Sequence, residues 1–380
     1  MGDANIDDLR DQIDSLDAEL LKRLADRAEL SARIARAKRE RNLPSRDPQR
    51  EQAMLERART NPPAPFSPEA ARDALAALIE ATRATAVLRG SNARARNIAI
   101  VGLGLMGGSL AKACKAANPG HKLTGVDVAA RLEAPRASGL FASLHEESDG
   151  KAAVQNADIV FLCAAPMINV GLLASVRKDV GPDCVVTDLG GLKTEICHEA
   201  DKHFSLEHGP WFVGGHPMAG LATSGFANAR AELFVDRPWV LTPRPKQSLG
   251  PLKALQELIE SLGARLALLT AEDHDRTVVP TSHLPQLLSV ALTLCVGGRD
   301  RGLAGPALKA MTRLADSPPE LWTELLHTRN SQVTTELQRF RSYLSDLEMA
   351  VAFREPLKRW FDKAAGLRAA LDVAPRDNPA

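Results

Sequence analysis

Apolar residues Ile6, Leu9, Ile13, Leu16, Leu20, Leu24, Leu30 and Ile34 recur at three- and four-residue steps, with charges between them. That is the period of an amphipathic helix, and it predicts one helix over residues 5–42, uninterrupted by Pro or Gly until Pro44. At about 1.5 Å per residue such a helix reaches about 60 Å, too long for a compact domain of its own, so pairing with another chain is expected. Asp47-Pro48 restarts a helix to about Thr60, with Asp as N-cap and Pro at the first helical position. Asn61-Pro-Pro-Ala-Pro65 breaks it, and Ser67-Pro68-Glu69 caps a third helix from Ala70 to Leu88.

After a polar linker, Arg89–Arg96, the period changes. Ile98–Val101, Lys122–Asp127, Ala157–Cys163 and Cys184–Asp188 are short apolar runs that end at turns and alternate with helical stretches. This order predicts an α/β domain with a parallel, doubly wound sheet. Trp211–Val213 and Pro238–Thr242 read as its late strands. Beyond about Lys246 strand signals vanish and helical stretches run to about Leu371. Three domains are expected: a three-helix module over 1–90, a Rossmann domain over 96–245 and a helical domain over 246–375.

Composition narrows the class. A chain of 380 residues has room for two or three domains. The formal net charge is +1, which gives no sign of a nucleic-acid-binding surface. No apolar run approaches the roughly 20 residues of a membrane span, and no apolar h-region opens the chain. Five scattered cysteines without a Cys-x-x-Cys pair argue against a zinc site or a disulfide framework and for a reducing cytoplasm; no metal is expected.

Gly102-Leu-Gly104-Leu105-Met106-Gly107 matches Gly-x-Gly-x-x-Gly. Alone the pattern is weak, but here it follows a strand, opens a helix and precedes a second strand ending in Asp127. Gly102 permits the tight turn, Gly104 lets backbone approach a pyrophosphate, and Gly107 lets the helix pack on the sheet. Asp127 is placed for ribose hydroxyls, which favours NAD, although the nearby Arg131 leaves NADP open.

Gly214-Gly-His-Pro-Met-Ala-Gly220 sets one histidine in glycine-rich backbone that reads as a bend. An isolated histidine is readily a turn cap, yet beside a hydride acceptor His216 suits a general base. His283 falls in an apolar helical stretch, where a core histidine is the default. Arg313 stands among apolar neighbours and suits a carboxylate, or is a surface arginine.

These pieces, with Val101–Ser109, Asp188-Leu-Gly-Gly-Leu-Lys193, Ser282-His-Leu-Pro285 and Thr312-Arg-Leu-Ala315, resemble the prephenate dehydrogenase family in order and over about residues 96–372. The resemblance implies that His216 is the catalytic base at the ring hydroxyl. It makes His283 a second substrate-side histidine and Arg313 the holder of a prephenate carboxylate. NAD is the implied cofactor, and Gly191 is a substrate-side residue in the loop where some members carry a serine. Some members also carry an acid where this chain has Ala222. Prephenate and arogenate both stay open as substrates, as does a different Rossmann dehydrogenase for 3-hydroxy acids, against which the two histidines argue.

The first 90 residues resemble an all-helical chorismate mutase through Leu9-Arg10, Ile13-Asp14, Leu16-Asp17, Asp26-Arg27, Ala37-Lys38 and Arg46–Glu51. Arg27 and Lys38, eleven residues apart, return to nearly one helix face, where cations need anionic company or acidic side chains nearby. The resemblance implies that Arg10, Arg27, Lys38, Asp47, Arg50 and Glu51 bind chorismate, with Arg10 reaching a partner protomer's site. Thr82 takes a substrate-side serine position, and Ala86 stands where a Gln or Glu is usual. Together the two resemblances imply a bifunctional homodimer of tyrosine biosynthesis, which makes prephenate from chorismate and oxidises it. The rival reading makes the helices a weak or inactive dimerisation or regulatory module.

Overall fold

The structure, a computed structural model, describes residues 5–41, 43, 46–91, 93–298, 301–354 and 356–371; Pro44, the expected stop of the first helix, lies outside them. The chain divides into two compact units, Met1–Asp275 with Asp316–Leu321, and Arg276–Ala315 with Trp322–Ala380.

The first unit opens with α1 (Ile6–Glu40), α2 (Pro48–Thr60) and α3 (Pro68–Arg89). Asp47 caps α2 by accepting from the Arg50 amide, and Ser67 caps α3 by accepting from Ala70, as the Asp-Pro and Ser-Pro pairs predict. Small side chains let α1 and α3 approach closely: Ala28 and Ala32 of α1 and Ala71 and Ala86 of α3 are buried. The apolar stripe behaves otherwise. Ile6, Leu9, Ile13, Leu16 and Leu20 are exposed within the chain, between 46% and 65% of their surface.

Alternation then begins: β1 (Asn97–Val101), α4 (Leu105–Ala117), β2 (Lys122–Asp127), α5 (Glu133–Ala137), β3 (Ser143–Glu146), α6 (Gly150–Val154) and β4 (Ile159–Leu162). It continues with α7 (Pro166–Asp179), β5 (Val185–Asp188), α8 (Thr194–His203), β6 (Trp211–Pro217), β7 (Pro238–Thr242), α9 (Leu249–Ser261) and β8 (Arg265–Leu268). The sheet order is β3-β2-β1-β4-β5-β6-β7-β8. Strands β1 to β6 pair in parallel, β7 runs antiparallel to β6, and β8 runs parallel to β7. The order reverses between β1 and β4, so a crevice opens beyond the carboxyl ends of those strands. β1, β4 and β5 are buried on both faces, as a helix-covered parallel sheet requires.

Strand signals do not vanish at Lys246. β8 is four residues of Arg-Leu-Ala-Leu, helix formers held extended by pairing with β7 after Gly263 turns the chain at φ +81°.

In the second unit a π-helical turn (Val279–His283) joins α10 (Ala271–Val278) to α11 (Leu284–Val296). Pro280 and Pro285 each lack an amide donor there, which loosens the regular ladder. α12 (Pro306–Thr312), α13 (Pro319–Thr328), α14 (Asn330–Ala352) and α15 (Lys358–Leu371) follow. The helical run Ala271–Val296 is long and apolar enough to cross a membrane by length and composition, which corrects the expectation that none approaches that length. Its polar residues His283, Gln286 and Ser289 are buried and its turn packs with α14, whereas Val290 and Leu294 further along are exposed within the chain.

Candidate active site

The glycine turn sits at the carboxyl end of β1. Gly102 has φ +96°, and a Cβ there would lie 2.8 Å from the Ala164 nitrogen, so only glycine is comfortable. A Cβ on Gly107 would run into the Gly102 carbonyl. At Gly104 it would meet nothing within 4 Å, which leaves backbone open to approach. α4 starts at Leu105 with no side-chain cap, so a ligand anion has amides to bind at its first turn. Met106 packs against the core from that turn.

Asp127 ends β2, 5% exposed. Its carboxylate accepts from the Leu103 amide at 2.7 Å and from the Val128 amide at 2.8 Å. It therefore pins the glycine turn to β2, and its remaining lone pairs are what a ribose could use.

His216 lies near the end of β6, opposite Val240 of β7. The Gly214–Gly215 pair is extended strand and not the bend the sequence suggested. Its glycines serve close packing: a Cβ on Gly215 would lie 2.6 Å from the Asp188 carbonyl, and one on Gly214 would strike the Thr242 hydroxyl. His216 Nδ1 is 2.7 Å from His274 Nε2, and His274 Nδ1 is 2.7 Å from Asp275 Oδ1. His274 is wholly buried and Asp275 nearly so.

The loop after β5 holds both ends of this chain. Lys193 and Asp188 form an ion pair with side chains 0% and 1% exposed. Lys193 Nζ also donates to the Gly215 carbonyl at 2.8 Å, while Asp188 accepts from the amides of Gly190 and Gly215 at 2.8 and 3.1 Å. Asp275 accepts from the amides of Lys193 and Thr194 at 2.9 and 2.8 Å and from the Thr194 hydroxyl. Gly191, half-buried, lies between these anchors. Burial pushes the Asp275 carboxyl up, but its bonds from His274, Thr194 and Lys193 outweigh that and hold it well below the usual range. Burial lowers His274, against the raising bond to Asp275, so it is neutral near neutral pH.

A pH dependence of stability follows. His121 is likewise lowered, first by burial; its bond with the Arg96 backbone opposes this, and the Arg96 and Lys115 charges add to the lowering. The unfolded chain therefore binds more protons than the folded one below about pH 6.5. Stability is full above that pH and lost as the pH falls through it. Thermal unfolding should come progressively earlier below about pH 6.5, and less steeply in His274→Gln; a melting temperature indifferent to this range contradicts the burial argument.

In the second unit, His283 is 2% exposed and ends the π turn, its ring edge-on to Trp322 at 5.9 Å. Gln286, one turn further, donates to the Leu314 carbonyl at 2.8 Å and so ties this helix to the turn that starts at Arg313. Arg313 itself is exposed. Thus His283 and Arg313 share one unit, whereas His216 belongs to the other.

In the helical module Arg27 and Lys38 are half-buried with Leu24, Ser31 and Ala35 along one face of α1, and Arg27 donates to the Leu78 carbonyl at 3.3 Å. Arg10 is exposed and pairs with Asp7. Glu51 pairs with Arg46 at 3.0 Å, and Arg50 is exposed. Asp47 spends one oxygen on its cap, and the buried Thr82 hydroxyl bonds back to the Leu78 carbonyl at 2.8 Å.

A doubly wound sheet with an open glycine turn at its order reversal, and a histidine backed by a buried carboxylate, defines a dinucleotide-dependent dehydrogenase. Residues 110–268 match the prephenate dehydrogenase nucleotide-binding domain, residues 270–362 the prephenate dehydrogenase dimerization domain, and residues 9–87 chorismate mutase type II. Synechocystis arogenate dehydrogenase is 31% identical, covering 72% of this chain and 99% of that one, with a TM-score of 0.60. Prephenate dehydrogenase of Lactococcus lactis is 29% identical over 290 residues, 73% of this chain and 78% of its own length. The A. aeolicus prephenate dehydrogenase, solved with hydroxyphenyl propionate and NAD+, shares the fold at 24% identity, covering 74% of this chain and all of that one, with a TM-score of 0.66. The chain belongs to the prephenate dehydrogenase family and carries a type II chorismate mutase domain at its front.

Reading motifs one by one missed His274, Asp275, Thr194 and the buried Lys193–Asp188 pair. The acidic run Glu272-Asp-His-Asp275 and the Asp188–Lys193 match were the available signals.

Proposed function

We propose that this chain rearranges chorismate to prephenate in its helical module and oxidatively decarboxylates prephenate to 4-hydroxyphenylpyruvate with NAD. The observation that carries the second half is His216, held by His274 and Asp275 in the same unit as the open glycine turn. NAD, when bound, supplies the acceptor for the hydride lost from the hydroxyl-bearing ring carbon. Gly104 and the first amides of α4 would hold its phosphates, and Asp127 its ribose. His216 takes the hydroxyl proton as that hydride departs. Loss of CO₂ then aromatises the ring, with Arg313 and His283 as the carboxylate-side and second substrate-side groups and Gly191 lining the loop.

In the mutase half no proton moves. Arg10, Arg27, Lys38 and Arg50 hold the two carboxylates and stabilise charge on the ether oxygen, with Asp47, Glu51 and Thr82 completing the site. Arg27→Ala should lower chorismate turnover by about 10²-fold or more and leave prephenate oxidation unchanged; equal loss of both activities would mean that α1 serves folding alone. A second reading, a weak module kept for dimerisation or regulation, is favoured by Ala86, buried at 3% exposure with no donor to offer.

The exposed stripe of α1 and the exposed Tyr343, Leu344, Phe353 and Phe361 near the other end of the chain support a homodimer. The scattered, unpaired cysteines support a cytoplasmic enzyme, and the near-balanced charge supports a small-molecule substrate over a nucleic-acid partner. Turnover of chorismate, prephenate and arogenate, each with NAD and with NADP, tests the whole assignment. No NADH from prephenate or arogenate would end the dehydrogenase reading.

A further inference from the structure

The hydrogen-bond chain behind His216 has only one consistent proton arrangement. Asp275, ionised, can only accept, so the proton in its bond to His274 lies on His274 Nδ1. A neutral imidazole with Nδ1 protonated has its lone pair on Nε2. That atom faces His216 Nδ1 at 2.7 Å, so the proton between the rings belongs to His216. His216 then carries its own lone pair on Nε2. Free histidine does not enforce this tautomer; the buried chain does.

We infer that His274, backed by Asp275, is the positioning residue that fixes the tautomer and aim of His216. The inference rests on His216 being the base of the proposed reaction. The buried loop from Asp188 to Thr194 builds the arrangement from both sides, through Lys193 to Gly215 and through the amides of Lys193 and Thr194 to Asp275. Gly191, in the middle of that loop, has no hydroxyl with which to orient a histidine. The charged groups acting on His274 are Asp275, Lys193 and Asp188. Burial keeps its ring neutral, which the arrangement needs, since a doubly protonated His274 would donate to His216 Nδ1 and put a proton on His216 Nε2. When His216 takes a proton, the positive ring donates to His274, whose other nitrogen donates to the Asp275 carboxylate.

The test uses the full chain, labelled with ¹⁵N-histidine, as wild type and as His274→Gln, His274→Phe and Asp275→Asn. Ring nitrogen shifts, with His216 assigned by its loss in His216→Asn, should show wild-type His216 protonated on Nδ1. In Asp275→Asn the amide can donate to His274 Nδ1, which reverses both rings and moves the His216 proton to Nε2. That variant should lose about 10²-fold in kcat with prephenate and NAD, with KM nearly unchanged. His274→Phe should also lose turnover and move the acid limb of its pH profile to lower pH. His274→Gln, whose carbonyl accepts from Nδ1–H, should recover much of the rate. Wild-type His216 protonated on Nε2, or folded His274→Phe and Asp275→Asn with wild-type kcat and limb, overturns the inference. If the wild type fails to oxidise prephenate, the functional reading falls while the ring shifts still decide the tautomer.

Discussion

His216→Asn is expected to lower turnover of prephenate with NAD by at least about 10²-fold, the usual contribution of a positioned general base. Asparagine is close in size, and its side chain can keep a bond towards His274, so the buried chain should survive the change. The glycine turn at Gly102–Gly107 and the Asp127 carboxylate are separate from this position, so NAD affinity, measured by fluorescence titration, should change little. Chorismate turnover in the same preparation supplies an internal control, because the mutase domain matches residues 9–87. A loss confined to KM would give His216 a binding role only. A variant within about threefold of wild type in kcat would remove it from the chemistry.

Much of this site was legible because its parts are local. A Gly-x-Gly-x-x-Gly after a strand reports a backbone requirement, and Gly102 at φ +96° and the crowded Cβ at Gly107 are those requirements met. Asp-Pro and Ser-Pro gave the starts of α2 and α3 to within two residues because capping is a matter of adjacent groups. Long-range pairing was hidden. β8 pairs only with β7, and its Arg-Leu-Ala-Leu run has helical propensity, so Gly263 was its one local sign. His274 stands 58 residues from His216 in sequence, and the acidic run around it, Glu272–Asp275, does not say which residue it supports. The glycines before His216 misled for the same reason. They read as a bend, whereas Asp188, Thr187 and Thr242 from neighbouring strands crowd them into an ordinary strand.

The Lys193–Asp188 pair should be among the costliest single sites to disturb. Both side chains are buried to within 1%, and each is satisfied three ways or nearly so: Asp188 by Lys193 and the amides of Gly190 and Gly215, Lys193 by Asp188 and the Gly215 carbonyl. Lys193→Ala leaves an ionised carboxylate in a dry interior, which costs about 3–5 kcal/mol where such pairs have been broken. It also frees the Gly215 carbonyl next to His216, so kcat per folded molecule should fall along with stability. The double variant Asp188→Leu/Lys193→Met removes the stranded charge and should be more stable than the sum of the two single changes predicts. It should not return to wild type, because the amides of Gly190 and Gly215 then lose their acceptor. Denaturant midpoints for wild type, Lys193→Ala, Asp188→Leu, Lys193→Met and the double variant, with prephenate turnover on each, decide the matter. If Lys193→Ala unfolds at the wild-type denaturant concentration, the pair contributes nothing measurable and water or a rearranged loop must compensate Asp188.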